Sequence, residues 1–404
     1  MKVGYVIVRE NIDDALIKSQ SIDVIEEVNR SESDVSIELI WFYRVDYLIR
    51  YGSKRLRRNK LDLEEKGIKS YFIPFVGPSF PVSWWFLPFT SFQWMLGITY
   101  LYLFKGIKNF HCRSYHAGLI GFLSKILHRT DYIFDPRSPF PEENVSARRW
   151  KPNSRNFKVW KKIESLIVDR ARKTTLVSPF LKDEYWGKWK ADRFVVIPNN
   201  YPKSFDQITE NRTKNVNAKY ELVYVGSFGH WNKPGPYLKL LKKINELGRE
   251  PCKMLFLVRS ESNEEIFRLA KLEGIDSKLF DVRSVPQSEV KNVLEECRVG
   301  VYLMQGEDPR LGVKTVEYIR SGLSVIVSEN IKGAANIVSE YGLGITWDHG
   351  DESIHDIRDH LSWVNMNCDK VHNTNVNFAK LNFSSQSVAL RLVSSCLRFL
   401  KAGD

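Results

Sequence analysis

The chain has 404 residues, 43% hydrophobic and 27% charged, with a formal net charge of +12 at pH 7. That length suits two ordinary domains, and a composition with no low-complexity tract is that of a soluble globular protein. The five cysteines (Cys112, Cys252, Cys297, Cys368, Cys396) form no C-x-x-C and no His/Cys cluster of zinc spacing, which argues against a disulfide framework and fits reduced thiols in a cytoplasm.

The charge is uneven. Residues 1–200 hold 33 Lys and Arg against 22 Asp and Glu, while residues 201–404 hold 27 against 26. Runs such as RYGSKRLRRNK (50–60) and SARRWKPNSRNFKVWKK (146–162) carry much of the excess. They point to an anionic partner (a phospholipid surface, a phosphorylated acceptor or nucleic acid) or to a solvated basic surface. No recognition-helix or RNP-type motif accompanies them, so no nucleic-acid partner is expected.

In chain order, MKVGYVIVRENIDD opens on a strand, with no apolar signal region and no cleavage site. Strand runs follow at 36–42, 69–75, 109–113, 131–135, 174–178 and 194–198, with helical patterns such as IDVIEEVNR between most of them. Residues 70–104 hold no charged residue, and 80–104 are crowded with aromatics. Pro81 and Pro88 break this run, so a membrane span is not expected. The choices are a buried helix and loop, or a monotopic face whose Trp and Phe enter a headgroup layer beside the basic clusters. The polar stretch 199–220 reads as an interdomain linker. Strand runs resume at 221–227, 253–259, 278–284, 299–304 and 323–328, and 383–404 read as an amphipathic helix. Alternating strands and helices in both halves imply two doubly wound α/β domains.

Chemistry concentrates at strand ends, where open α/β sheets bind ligands. ELVYVG ends at Gly226-Ser227, and Lys233 follows in the next loop. Farther on, GVKTVEYIRSG places Gly312, Val313, Lys314, Thr315 and Glu317 at the start of a helical pattern that Gly322 stops. A helix start offers unpaired amides and a positive dipole to an anion. Together with Lys233 and Lys314 it suits a diphosphate, and a carboxylate one turn on suits ribose hydroxyls. An ordinary surface helix is the plainer alternative.

These pieces resemble the donor domain of the family 4 glycosyltransferases, retaining enzymes with the two-Rossmann GT-B fold. VYVGSFGHWNK matches that family's strand, glycine and lysine, and GVKTVEYIRSGLSVIVS its loop, Glu, helix, Gly and strand. The resemblance implies that Glu317 binds the ribose, that Lys233 and Gly312–Lys314 bind the diphosphate, and that Val285 makes a backbone contact to the nucleobase. In the first half, YIFDPRSPFPEENV followed by WKKIESLIVDRARKTTLVS resembles the family's acceptor side. It implies roles there for Asp135, Arg137, Glu142 and Glu143, with Arg113 ending the preceding strand.

The resemblance further implies an acceptor domain at 1–200, a donor domain at 201–382, a central cleft, and a helix at 383–404 that crosses back to the first domain. The expected activity is metal-independent, cofactor-free, retaining transfer from a nucleotide diphosphate sugar to a hydroxyl of a glycan or glycolipid. Cell-envelope glycan synthesis at the inner face of the cytoplasmic membrane would suit the basic, aromatic first half. Three departures stand out. Pro309 occupies the place of a family glutamate eight residues before Glu317, which leaves Glu307 or Asp308 to substitute. Ser227 replaces a frequent Arg, whose charge Arg259 could supply. VRENIDD stands where a glycine-rich loop is usual. A GT-B-type sugar-nucleotide epimerase and a catalytically degenerate glycan- or nucleotide-binding member are the alternatives.

Overall fold

The computed structural model describes the chain except residues 32–33, 79–82, 209–217, 230–231, 249 and 401–404. It forms two units, Met1–Pro198 with Val388–Asp404, and Asn199–Ser387. The sequence-based boundaries were 200 and 382.

The first unit is built on seven strands: β1 (Lys2–Val8), β2 (Ser36–Arg44), β3 (Ser70–Phe75), β4 (Asn109–Arg113), β5 (Asp131–Asp135), β6 (Lys173–Leu176) and β7 (Phe194–Val196). They are parallel, in the order β3-β2-β1-β4-β5-β6-β7. The second unit has β8 (Tyr220–Val225), β9 (Met254–Leu257), β10 (Phe280–Arg283), β11 (Cys297–Tyr302), β12 (Ser324–Ser328) and β13 (Gly344–Trp347), parallel in the order β10-β9-β8-β11-β12-β13. Their near-continuous apolar runs follow from this, since helices cover both faces of such sheets. In each unit the strand order reverses beside the first strand, between β1 and β4 and between β8 and β11, where a crevice opens at the carboxyl edge. All twelve strand runs read from the sequence lie in these sheets. β13 was not foreseen, since GITW opens on glycine, a residue depleted in strands; a Cβ at Gly344 would meet the Val325 carbonyl oxygen at 2.0 Å, so β12 and β13 pair only with glycine there.

Two other expectations need correction. The described part of the 199–220 stretch is no free linker: Tyr201, Phe205 and Ile208 are buried in the second unit's core. Buried Arg320 donates to the Ile208 carbonyl at 2.9 Å and the Asp206 carbonyl at 3.3 Å, which holds the stretch against the Val313–Arg320 helix. Residues 209–217 of it lie outside the described part. The terminal helix is shorter than expected, Ser385–Ser395 followed by a tight turn at Leu397–Leu400, and a separate helix precedes it. Cys368–Phe383 and Ser385–Ser395 are helical, with Ser384 extended between them (φ −69°, ψ 152°). Val388, Ala389, Leu392 and Val393 pack with Val3, Ile7 and Ile37 in a core of the first unit.

The aromatic stretch becomes β3, a turn at Trp84–Phe86 and the helix Leu87–Lys105; residues 80–82 of it lie outside the described part. One face of that helix is core, with Leu87, Trp94, Ile98 and Leu101 buried. The opposite face is also apolar and stays exposed: Phe89, Phe92, Leu96, Tyr100, Leu103 and Phe104, spaced by about one turn. The buried-helix reading thus holds for one face, and the other is an exposed apolar surface. No helix among the described residues is long and apolar enough to cross a membrane.

Candidate functional site

The second unit gathers the expected donor residues along one carboxyl edge. Gly226 follows β8, Arg259 follows β9, Val285 follows β10, and Gly312 caps the helix Val313–Arg320 that follows β11. Packing seats that helix. A Cβ at Gly300 would meet the Tyr318 ring at 2.3 Å, so glycine lets the ring lie flat on β11. The Val225 amide donates to Tyr318 Oη at 2.8 Å, which ties the helix to β8 across the switch point. Beyond it the chain turns at Gly322 (φ 71°), with the Leu323 amide on the Tyr318 carbonyl at 3.1 Å and the Gly322 amide on Ile319 at 3.0 Å. That is a Schellman-type stop.

Lys314 reaches back to the glycine at the end of β8. Its Nζ donates to Tyr224 Oη at 2.9 Å and lies 4.5 Å and 5.3 Å from the Tyr224 and Tyr302 ring centroids. A Cβ at Gly226, which has φ 140°, would meet Lys314 Cε at 2.5 Å. Glycine there therefore gives both the turn and the room for the lysine. Glu317, one turn on, is buried. Burial pushes Lys314 down to about 8, against the pull of Glu317. Burial likewise pushes Glu317 up to about 7, against the pull of Lys314. The free protein thus holds a cation and a carboxylate in surroundings that favour their neutral forms, a pattern common where a ligand supplies the missing partner.

A pH dependence follows. An anion beside Lys314 raises its pKa in the complex, so binding takes up a proton above the free value. Glu317 must be ionised to accept from ribose, so nucleoside diphosphate affinity should be greatest between about pH 7 and 8, weaken below about 7 and fall above 8 by up to about tenfold per unit. Calorimetric titration from pH 7 to 9.5 measures this, and a flat profile in wild type would show that Lys314 does not hold the phosphates.

The remaining expected residues divide. Lys233 is exposed at the start of the Pro234–Leu247 helix, Ser227 and Arg259 are exposed, and Val285 is half-buried against the core. His230 and Trp231, in the loop with Lys233, lie outside the described part. Thr315 is buried, and its Oγ1 has no hydrogen-bond partner among the described residues. Glu307 is exposed and ion-paired with Lys332 at 2.6 Å. Asp308 is buried and grips Arg310 through both oxygens, at 2.8 Å and 3.0 Å. It braces the loop ahead of Gly312. Of the two candidates for the place held by Pro309, Glu307 is the one turned outward.

In the first unit, Arg113 ends β4, Asp135 ends β5 and Arg137 follows with φ 61°. Asp135 Oδ2 lies 3.5 Å from both His111 Nε2 and Arg137 Nη1. Burial alone would raise this carboxyl, but Arg137, His111 and Arg113 outweigh it and hold it well below the usual carboxylate range. Such a carboxylate positions its partners and is a weak proton acceptor. Glu142 and Glu143 have partners of their own: Lys161 pairs with Glu142 at 2.9 Å and Ser138 Oγ donates to Glu143 at 2.8 Å. They brace the Phe140–Ser146 helix. Sequence reading missed Tyr224 and Tyr302, which flank Lys314, as well as Glu10, Gln20 and His111 around Arg113. The signal for His111 was a polar residue within the apolar strand NFHCR. Among the described residues, no group of three or more His, Cys, Asp or Glu could hold a metal ion.

Comparison with known proteins bears on the second unit first. Residues 206–374 match the family model described as Glycosyl transferases group 1. That span contains every donor-side residue above. A glycosyltransferase from Rickettsia africae ESF-5 superposes with TM-score 0.70 at 13% identity, covering 99% of this chain and 98% of that one. Anabaena Alr3699/HepE in complex with UDP superposes with TM-score 0.66 at 10% identity, over 98% and 100% of the two chains. The apo lipopolysaccharide outer core galactosyltransferase WaaB gives 0.66 at 12% identity, over 98% and 99%. At such identities the likeness establishes the fold, which is GT-B, with two Rossmann-like domains. No curated protein matches the chain in sequence.

Proposed function

We propose that the protein is a retaining, metal-independent glycosyltransferase that moves a sugar from a nucleotide diphosphate sugar to an acceptor hydroxyl. The observation that carries this is the Gly226–Lys314–Glu317 arrangement at the β8/β11 switch point, inside the span that matches the glycosyltransferase model. Lys314, the amides of Val313–Thr315 and Lys233 would take the diphosphate, and Glu317 the ribose hydroxyls. Arg259 and Ser227 edge the same crevice, Val285 lies where a base could rest, and Glu307 is the carboxylate left for the donor sugar.

The barrier to transfer is charge separation between an oxocarbenium-like sugar and the departing diphosphate. Fixed cations and helix amides aimed at the leaving group lower it without reorganising. The departing phosphate can take the acceptor proton on the same face, which retains configuration and needs no dedicated base. Asp135 then acts as a positioning residue for Arg137 and His111, beside Arg113. Glu142 and Glu143 shape the acceptor side only through the helix they brace. A sugar-nucleotide epimerase would use the same crevice. Incubation with a panel of nucleotide-sugars, with and without extracts of lipid-linked glycans, separates the two: free diphosphate formed only with acceptor, and a product of unchanged anomeric configuration by proton NMR, support transfer. Interconversion of the sugar without acceptor would replace this reading.

The acceptor is a lipid-linked or surface-polysaccharide glycan of the bacterial cell envelope, reached from the cytoplasmic face. The apolar outer face of Leu87–Lys105 supports membrane contact, since Phe92 is 64% and Phe104 71% exposed and Lys105, Lys108 and Arg129 stand near its end. An apolar stripe with cations at its margin suits anionic lipid. Trp85 is exposed beside it, whereas Trp84 is covered by Arg155, whose guanidinium sits 3.7 Å from the ring centroid. Phe92→Ser/Leu96→Ser/Leu103→Ser should therefore lower partition onto phosphatidylglycerol vesicles by at least about tenfold, from the apolar area withdrawn. Equal sedimentation of variant and wild type would remove the membrane from the account.

A further inference from the structure

The carboxyl edge of the first sheet holds more positive charge than its own carboxylates satisfy. Arg9 follows β1 in a left-handed conformation (φ 70°) and turns its side chain back over the edge. Its Nη2 donates to the Pro78 carbonyl at 2.6 Å, and its guanidinium lies 6.0 Å from the Phe75 ring centroid. Its Nε and Nη1 are buried and have no hydrogen-bond partner among the described residues. Arg44, the last residue of β2, pairs with Asp46 through Nη2 at 2.8 Å and leaves its own Nε buried without one. Arg113, at the end of β4 and 1% exposed, binds Glu10 at 3.2 Å and Gln20 at 3.0 Å, with Nη1 buried and unpartnered among the described residues.

A structural role explains only part of this. Holding Pro78 uses one of the N–H groups of Arg9, and Asp46 uses one edge of Arg44. Two like charges remain at the ends of neighbouring strands, with three buried nitrogens between them that have no partner among the described residues. Burial, and then the Arg44 charge, push Arg9 down to about 10, with only Asp46 opposing. The same Arg9 charge adds to the burial that pushes neighbouring His116 down to about 3. Nature rarely leaves buried donors unmatched, and a pair of cations held together is stabilised by an anion between them. Guanidinium groups borne on neighbouring strand ends, where the Arg9 amide donates to the Phe42 carbonyl at 3.0 Å, suit a tetrahedral oxyanion, which accepts from several directions, better than one planar carboxylate. Phe75 under Arg9 packs on Trp94 at 5.6 Å, in the helix whose outer face is apolar.

We propose that Arg9 and Arg44 form a binding site for a phosphate-class oxyanion carried by the acceptor. The word acceptor rests on the glycosyl-transfer reading, whereas the anion site itself does not.

The test uses the full chain, with geranyl phosphate as probe, geraniol as its uncharged control and phosphatidylglycerol vesicles as the lipid-headgroup source. Wild type should bind geranyl phosphate saturably and geraniol at least about tenfold more weakly, the scale of one charge-assisted hydrogen bond. Arg9→Gln and Arg44→Gln should each weaken geranyl phosphate by about tenfold or more, and Arg9→Lys, which keeps the charge without the fork, should fall between. UDP affinity and melting temperature, measured on the same samples, report on the donor edge and on folding. Saturable geranyl phosphate binding with unchanged vesicle partition in the variants assigns the site to a free phosphate ester. Arginine-dependent vesicle partition without geranyl phosphate binding assigns it to a bilayer headgroup. Geranyl phosphate and vesicle binding that do not differ between folded variants and wild type overturn the proposal. Binding of geranyl phosphate by a wild type that binds no nucleoside diphosphate would keep the anion site and reject the donor reading.

Discussion

Glu317→Gln is expected to lower nucleoside diphosphate affinity by about 30- to 100-fold while making the free protein more stable at pH 8. The first effect follows because a carboxylate can accept from both ribose hydroxyls, and hydrogen bonds to a charged group are worth about 1.5–3 kcal/mol. The second follows from the raised pKa. Glu317 has a folded value of about 7 against an ordinary value of 4.5, so the folded state binds its proton more tightly. Its contribution is fully present below about pH 4.5 and is lost as pH rises through about 7, a change on the order of 3 kcal/mol. Glutamine carries no charge to bury. Without the opposing carboxylate, Lys314 falls below about 8 and is also neutral at that pH. Thermal unfolding from pH 5 to 8 should show wild type losing stability across the window and the variant holding it. Parallel curves, or unchanged UDP affinity, would remove Glu317 from the site.

Asp135→Asn is expected to destabilise the first unit by roughly 3 kcal/mol, a drop in melting temperature of about 6–12 °C. The mechanism is an uncompensated charge: Arg113 and Arg137 converge on a carboxylate buried at the ends of β4 and β5. The folded pKa is depressed, so the sign is opposite to that of Glu317. The stabilisation is present above the unfolded value near 3.8 and is lost as pH falls toward the lower folded one. The wild-type advantage over the variant should thus hold at pH 5 to 8 and shrink only below about pH 4. Calorimetry on both proteins tests this, and Arg137→Met as the second arm of a double-mutant cycle isolates the pair. Equal melting temperatures at pH 7 would show that the group is solvated rather than buried.

Much of the fold was legible because parallel strands buried on both faces read as apolar runs, and twelve such runs are strands. β13 escaped because GITW opens on glycine, a residue depleted in strands, and its pairing depends on backbone approach at Gly344 that sequence does not display. The 199–208 stretch misled for a related reason. It is polar in composition, yet it is anchored by Tyr201 and Phe205 and by the distant Arg320. Residue types and order sufficed to bring Gly226, Lys314 and Glu317 to one carboxyl edge of the second sheet, since strand ends are predictable once strands are. What could not be read was which partners consume a charge. Asp308 looked as available as Glu307 but is held by Arg310, and Glu142 and Glu143 looked as close to Asp135 as their spacing allowed but are tied to Lys161 and Ser138. Arg9 looked like part of a defective glycine loop. Its left-handed backbone and unmatched donors give it a different meaning.

On the function proposed above, a nucleoside diphosphate sits on Lys314 and Glu317 at the β8/β11 edge. Calorimetric titration of UDP, GDP and ADP into wild type, Lys314→Met and Glu317→Gln at pH 7.5 tests it most directly. Saturable one-to-one binding of at least one of the three to wild type is expected, weakened at least about 30-fold in each variant. No binding to wild type, or equal affinity in all three proteins, would contradict it.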